Sequence, residues 1–200
     1  TQWFDFPKTS VPLVADMSSD ILSRDIAIQD FGLVYAHAQK TIGSAGVTVV
    51  IIPKKTKHLF KTVMPSFFSY NTHIKARSNY HTPPVFAIYV VECMLDWLID
   101  EIGGVAAMEK INQQKSALLY DFLDQSSLFN CPVNVKDRSM MNVVFDLHNT
   151  DLTERVLMEA KKAGIFGLEG HRSKGGFRAS LYNAVTVEDV NVLVEFLKHF

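Results

Sequence analysis

Short apolar runs near the start of the chain place the strongest limit on its fold. Val11 to Ala15, Phe31 to Ala36 and Val47 to Ile52 are compact apolar segments, and the last two are rich in Val and Ile. Segments of this kind are typical of strands. The first run ends in the polar cluster Asp16-Met-Ser-Ser-Asp20, a pattern that predicts a buried parallel strand with functional side chains at its carboxyl end.

Two consecutive helices are predicted after residue 82. An apolar helix is predicted after Pro83-Pro84 and ends at Gly103-Gly104, and a second helix is predicted from about Val105 to Gln125. The later elements are a strand over Met140 to Leu147, a helix over Thr153 to Ala163, a strand over Gly176 to Leu181 and a helix over Val187 to Lys198. This alternation predicts a small α+β domain over residues 105–200, with the double glycine as the boundary to residues 1–104. Residues 53–82 are expected to be irregular and, because of their length, functional.

Composition and cysteine usage exclude several classes of function. The chain has 20 Lys and Arg against 21 Asp and Glu, which gives no reason to expect nucleic acid as a partner. Cys93 and Cys131 stand far apart without further Cys or His at ligand spacing, so neither a metal site nor a disulfide framework is predicted. The apolar stretches are shorter than the roughly 20 residues that span a membrane, and no signal peptide is evident. A cytoplasmic protein is expected, with further sequence upstream because no initiator Met is present.

Lys40 and Asp16 are the residues whose surroundings most suggest chemistry. Lys40 lies between a strand-like run and a turn that contains Gly43 and Gly46. A lysine that forms a Schiff base with an aldehyde cofactor must be held in place, and the ring nitrogen of pyridoxal phosphate needs a carboxylate partner. The two residues together predict a pyridoxal phosphate enzyme, in which Gln39 can bind the phosphate. Each residue alone has a simpler interpretation, as a surface lysine and as a helix-capping aspartate.

A second group of candidate residues lies in the segment Gly170-His-Arg-Ser-Lys-Gly-Gly-Phe-Arg178. It carries His171, Arg172 and Arg178, separated by a flexible glycine pair. Because guanidinium groups bind carboxylates and phosphates in bidentate fashion, this segment could hold a substrate with a negative charge at both ends. The alternative is a solvated basic turn followed by a strand.

Motifs along the chain resemble those of the phosphoserine aminotransferases, class V members of the fold-type-I pyridoxal phosphate enzymes. The motifs are Val11-Pro-Leu-Val-Ala-Asp-Met-Ser-Ser-Asp-Ile-Leu-Ser-Arg24, Ala38-Gln-Lys40 with Gly43 and Ala45-Gly46, Thr82-Pro-Pro84, Met108-Glu-Lys110, Asp137-Arg-Ser139, Gly170-His-Arg-Ser173, Gly175-Gly176 and Arg178-Ala-Ser180. The resemblance covers residues 11–200. It implies an α/β fold in which residues 1–104 belong to a pyridoxal-phosphate-binding large domain with a mostly parallel sheet, followed by the small α+β domain. It also implies that the chain is the carboxyl-terminal portion of the enzyme.

The resemblance implies a role for each cofactor-binding residue. Lys40 would bind the cofactor covalently and act as the catalytic base, Asp16 would pair with the pyridinium nitrogen, and Gln39 would bind the cofactor phosphate. His81 and Thr82 would bind the cofactor phosphate of a second subunit. A homodimer with shared active sites follows from these roles.

The substrate-binding residues also come from the resemblance. His171 and Arg172 would hold the substrate's phosphate or distal carboxylate, and Arg178 would hold its α-carboxylate. The implied reaction interconverts O-phospho-L-serine and 2-oxoglutarate with 3-phosphohydroxypyruvate and L-glutamate, in the synthesis of serine and pyridoxine.

The chain departs from the family pattern at four positions. His81 stands where Asn is usual, His37 where Gly is usual, and Thr41 and Ser44 where Asn and Pro are usual. Two alternatives stay open. The chain is another class V enzyme, of the alanine-glyoxylate aminotransferase or cysteine desulfurase type, or it is a catalytically silent fragment. The basic cluster around Arg172 argues against the first of these, because it suits a dianionic substrate.

Overall fold

The structure is a computed structural model that describes residues 2–60 and 64–200. The chain divides into two compact units, a first unit of residues Pro7–Val105 and a second unit of residues 2–6 and 106–200. The glycines predicted as a boundary, Gly103 and Gly104, adopt φ values of 88° and 92°, which side chains rarely tolerate. The assignment of residues 1–104 to a cofactor-binding domain and of residues 105–200 to a small domain stays a prediction. No helix within the described residues is long and apolar enough to cross a membrane.

The first unit contains a three-stranded sheet in the order β1 (Val14–Asp16), β2 (Leu33–His37) and β3 (Thr48–Ile51). Strand β1 pairs with β2 in parallel, and β2 pairs with β3 in the antiparallel direction. All three predicted strands are therefore confirmed in position.

The burial of these strands differs from the expectation. Strand β2 is buried, but Val14 and Asp16 of β1 are both exposed, so the predicted burial of the first strand is wrong for the described residues. The reason is positional. Among the described residues β1 has a neighbouring strand on one side only, whereas β2 lies between two strands.

The connection over residues 53–82 is more regular than the sequence suggested. It contains the short helix α1 (Tyr70–Lys75) and two 3-10 turns, Lys57–Leu59 and Ser66–Phe68, while residues 61–63 of the predicted connection lie outside the described residues. A six-residue helix leaves too short an apolar repeat to be recognised in the sequence.

Helix α2 (Val85–Asp96) continues through a π-helical turn at Trp97–Glu101 and ends at the double glycine, as predicted. The turn that follows β2 and contains Lys40 packs against this helix. An added Cβ at Gly43 would lie 2.8 Å from Val91 Cγ2, so the turn between β2 and β3 packs closely on this helix. The wide apolar face predicted for α2 is largely exposed, with Phe86 at 76% of its accessible surface.

The second unit is the predicted α+β arrangement. Its elements are α3 (Val105–Gln125), β4 (Phe129–Asn130), β5 (Asn142–Leu147), α4 (Thr153–Lys162), β6 (Phe177–Ser180) and α5 (Val187–His199). The strands form an antiparallel sheet in the order β4-β5-β6. Helix α5 begins with the capping box of Thr186 and Asp189. Strand β4 was not predicted from the sequence, because a strand of two residues shows no periodicity.

Phenylalanine rings fix the orientation of β6. Phe177 stacks on Phe145 with ring centroids 5.2 Å apart, and Phe129 meets both rings edge-on. All three side chains are buried in the core of the second unit. Since neighbouring residues of a strand face opposite sides, Arg178 lies on the face away from this core.

Candidate functional site

Asp16 ends β1, and hydrogen bonds hold its carboxylate. The backbone N–H and the hydroxyl of Ser18 both donate to Asp16 Oδ1, at 2.9 and 2.6 Å. Burial raises the pKa of Asp16, but the two Ser18 bonds, a hydrogen bond from the Tyr35 hydroxyl and the nearby His37 imidazole together lower that pKa below its ordinary value. Asp16 is therefore an anion at neutral pH and suits a cationic partner.

Ser18 ties this carboxylate to the neighbouring strand. Its side chain is buried, and its Oγ accepts a hydrogen bond from the backbone N–H of His37 at 2.9 Å. The backbone N–H of Met17 donates to the carbonyl oxygen of Tyr35 at 2.8 Å, which extends the parallel pairing past the end of β1. The Asp16 carboxylate is thus attached to a rigid pair of strands.

Lys40 lies on the turn after β2, as predicted from the sequence. Its side chain is half-buried, and Nζ donates to Ser19 Oγ at 2.9 Å. Asp16 is bonded to Ser18 and Lys40 to Ser19, so two consecutive serines anchor both groups at the carboxyl ends of two parallel strands. The structure brings these two candidates together, and their chemical roles stay predictions.

The residues that hold this pair are not among the site residues predicted from the sequence. Ser18 and Ser19 stand two and three residues after Asp16, and Tyr35 is the residue of β2 in register with Asp16. The Asp16 carboxylate in turn raises the pKa of the Tyr35 hydroxyl, together with burial and a hydrogen bond between the two groups. The polar cluster after β1 was the available signal for the serines, whereas Tyr35 becomes visible only with the strand register.

The other cofactor-site candidates of the first unit are on its surface. Gln39, His81 and Thr82 are exposed. His81 Nδ1 lies 3.0 Å from the carbonyl oxygen of Thr82, and its ring lies 5.8 Å from that of Phe67. Their predicted roles stay predictions.

The structure shows where His37 and Thr41 point. The His37 ring is directed towards β3, with Nδ1 2.8 Å from Thr48 Oγ1. Thr41, beside Lys40, is buried, and its hydroxyl has no hydrogen-bond partner among the described residues. Both positions are departures from the resembled family.

The predicted basic segment of the second unit is a tight hairpin. At its base, the backbone N–H of Arg178 donates to the carbonyl oxygen of Leu168 at 2.9 Å, and further out Gly170 donates to Gly176 at 2.9 Å. The carbonyl oxygen of His171 accepts from two backbone N–H groups of the tip. His171 and Arg172 are exposed at this tip.

Arg178 differs from the tip residues because it is partly enclosed. Its Nε is buried and has no hydrogen-bond partner within the described part of the chain. A buried donor without a partner costs about 1–3 kcal/mol, more for a charged group. Arg178 therefore remains a candidate to bind an anion such as a carboxylate, and this role stays a prediction.

The hairpin depends on a glycine at its neck, which gives a first prediction. An added Cβ at Gly170 would lie 1.9 Å from the carbonyl oxygen of Gly175, whereas one at Gly175, at φ +72°, would meet nothing within 4 Å. We expect Gly170→Ala to lower the free energy of unfolding by about 3 kcal/mol and Gly175→Ala by about 1 kcal/mol, measured by urea denaturation. Equal losses would contradict the close approach at Gly170.

Comparison with known proteins covers almost the whole chain. Residues 6–193 match the family model for aminotransferase class-V. A phosphoserine aminotransferase of Geobacillus kaustophilus (strain HTA426) is 51% identical over 201 residues, which cover 100% of this chain and 56% of that protein. The chain therefore spans little more than half the length of this curated relative.

Two solved structures have the same fold as the chain. Phosphoserine aminotransferase from Bacillus circulans subsp. alkalophilus has a TM-score of 0.94 and 44% identity, covering 99% of this chain and 55% of that one. The PLP-bound phosphoserine aminotransferase from Trichomonas vaginalis has a TM-score of 0.92 and 36% identity, covering 98% and 56%. These similarities confirm the predicted α/β fold class. The chain has the fold of a portion of a fold-type-I enzyme.

Proposed function

Because this chain belongs to the class V aminotransferase family, we propose that it is part of a phosphoserine aminotransferase. The reaction is transamination between O-phospho-L-serine with 2-oxoglutarate and 3-phosphohydroxypyruvate with L-glutamate, in serine and pyridoxine biosynthesis. The observation that carries the proposal is the anchoring of an ionised Asp16 and the Lys40 amine on Ser18 and Ser19. The place of the chain in the carboxyl-terminal portion of the enzyme stays a prediction.

The residues at the ends of β1 and β2 fit pyridoxal phosphate. Asp16, kept ionised by Ser18 and Tyr35, is suited to hold the proton on a pyridine nitrogen. Lys40 would bind the cofactor covalently, and Gln39, His81 and Thr82 would bind its phosphate. The cofactor, when bound, acts as an electron sink for negative charge at Cα of the amino acid.

Lys40 supplies the proton transfer in this proposal. Its Nζ, when free, accepts the proton from Cα of the amino acid and later returns it, as a general base and acid. Ser19 Oγ, 2.9 Å from Nζ, keeps the amine in a fixed position between the two proton transfers. The short hydrogen bonds of Asp16 keep the cofactor's partner carboxylate in one orientation.

The substrate's anionic groups are assigned to the second unit. His171 and Arg172 would bind the phosphate, and the guanidinium group of Arg178 would bind the α-carboxylate. Two guanidinium groups suit a substrate that has two anionic ends better than they suit alanine as a substrate, because alanine has a single carboxylate. This preference favours the proposal over another class V activity.

Assembly and location are also proposed. We assign the enzyme to the cytoplasm as a homodimer, in which His81 and Thr82 bind the cofactor phosphate in the partner's site. The exposed apolar side chains of α2, which begins three residues after Thr82, support a protein partner there, since Phe86 and Tyr89 are 76% and 57% exposed.

The cofactor assignment is tested by adding pyridoxal phosphate to the purified chain. We expect a new visible absorption band, and after borohydride reduction, peptide mass mapping should locate the cofactor on Lys40. Label scattered over surface lysines, or no band, would support the alternative that the chain by itself is catalytically silent.

The anion assignment predicts different effects for neighbouring basic residues. Arg172→Ala should raise the KM for O-phosphoserine by about 10- to 100-fold, because a charged hydrogen-bond partner of the phosphate is lost. Lys174→Ala, at another exposed position of the same tip, should change this KM less than about twofold. Steady-state kinetics with both variants measures the two KM values. Equal effects would count against Arg172 as a phosphate ligand.

A further inference from the structure

Ser173 makes two hydrogen bonds to one nitrogen of the His171 ring. Its Oγ lies 2.8 Å from His171 Nδ1, and its backbone N–H donates to the same Nδ1 at 3.3 Å. Both residues are exposed, so the surrounding core does not fix the ring. The orientation of the imidazole is set by Ser173.

These bonds determine which ring nitrogen carries the proton. A backbone N–H can only donate, so Nδ1 must offer its lone pair and cannot carry a hydrogen. The Ser173 hydroxyl therefore donates to Nδ1 as well. In the neutral imidazole the remaining hydrogen then lies on Nε2, which makes Nε2 a donor.

We propose that Ser173 is a positioning residue for anion binding, because its bonds to Nδ1 hold the His171 ring in the tautomer that carries its hydrogen on Nε2. A donor fixed in this way can bind a phosphate oxygen without first taking up a proton. The identity of the anion as the phosphate of O-phosphoserine rests on the proposed function, whereas the tautomer rests on the Ser173 bonds alone.

The other histidine assigned to a phosphate has the opposite arrangement. His81 Nδ1 faces the carbonyl oxygen of Thr82 at 3.0 Å, and since a carbonyl oxygen can only accept, Nδ1 carries the hydrogen. The neutral His81 ring therefore has an acceptor at Nε2, so the phosphate-binding role proposed for His81 requires a ring that carries a hydrogen on both nitrogens. Of the two rings, only His171 is ready as a neutral donor.

The tautomer is measurable by NMR on the whole chain with ¹⁵N-labelled histidine. The chain has 7 His, and the His171 signals are assigned by their loss in His171→Gln. At a pH where the ring is neutral, we expect His171 Nδ1 to show the shift of a hydrogen-bonded acceptor. Ser173→Ala should move that signal towards an unbonded nitrogen, and Ser173→Thr, which keeps the hydroxyl, should restore it.

Titration with inorganic phosphate, followed on the same signals, tests the consequence for binding. We expect Ser173→Ala to weaken phosphate binding about five- to tenfold and Ser173→Thr to bind like the wild type, since one neutral hydrogen bond is lost. Lys174→Ala serves as the matched control for a change of the tip itself.

The possible outcomes separate the inference from the function on which it rests. A hydrogen on His171 Nδ1 in the wild type, or an Nδ1 signal unchanged in Ser173→Ala, would overturn the role of Ser173 even if phosphate binds. The expected tautomer together with an absence of phosphate binding would overturn the anion site of the proposed function, and with it the role of Ser173 in binding.

Discussion

Lys40→Ala is expected to reduce transaminase activity by about 10³-fold or more. The variant lacks both the amine that would bind pyridoxal phosphate and the base that would move the Cα proton, and neither neighbour can replace it. Ser19 has a hydroxyl that is too weak a base, and the Gln39 amide does not titrate. The measurement is the initial rate with O-phosphoserine and 2-oxoglutarate, at saturating cofactor.

The loss should be chemical, because Lys40 contributes little to folding. Within the described residues its Nζ makes one hydrogen bond, to Ser19 Oγ, and the loss of this bond costs about 1 kcal/mol. Lys54→Ala is the matched control, since Lys54 is an exposed lysine in the same unit and should leave the rate within about twofold. Activity above a tenth of wild type in Lys40→Ala, with cofactor still bound, would remove Lys40 from the mechanism.

The fold was predictable wherever periodicity extended over several residues. The strand around Val34 and the helix beginning at Val187 follow from local apolar patterns and from the Thr186 cap, and both are present. The exposure of Val14 on β1 was not predictable, because an apolar pattern shows which residues favour burial and not whether a neighbouring strand is there to cover them. Tertiary context decides that, as it does for the exposed face of α2.

The candidate site divides in the same way. Asp16 and Lys40 could be found from the sequence because their chemistry is unusual in its surroundings. Ser19 and Tyr35 required the strand register and the shape of the turn, since serine and tyrosine are common in every context. The role of Ser173 depends on a ring rotamer within a hairpin, about which a linear pattern carries no information.

Lys115→Met is expected to lower the free energy of unfolding by about 3–5 kcal/mol. Lys115, on α3, is 0% exposed, and its Nζ donates to the carbonyl oxygens of Leu181, Tyr182 and Val185 at 2.9–3.1 Å. Met fills a similar volume but has no donor, so these bonds are lost. Urea denaturation at pH 7 measures the change.

The matched control for this loss is Lys110→Met. Lys110 lies on the same helix but is exposed, so its replacement should change stability by less than about 0.5 kcal/mol. Similar losses in the two variants would mean that the helix, and not the bonds to the segment after β6, is sensitive to substitution.

The stability that depends on Lys115 should rise in alkaline solution. Burial lowers the pKa of Lys115 from 10.5 to about 8, with the Asp189 carboxylate partly opposing the shift. Between these two pH values the unfolded chain binds more protons than the folded one, so the free energy of unfolding increases with pH, and below about pH 8 this term is constant. The difference in unfolding free energy between wild type and Lys115→Met isolates this group from all others and should grow by on the order of 2 to 3 kcal/mol from pH 7 to pH 10. A difference that stays flat over this range would mean that the three carbonyl oxygens keep the folded ammonium group protonated, and that burial has not lowered its pKa.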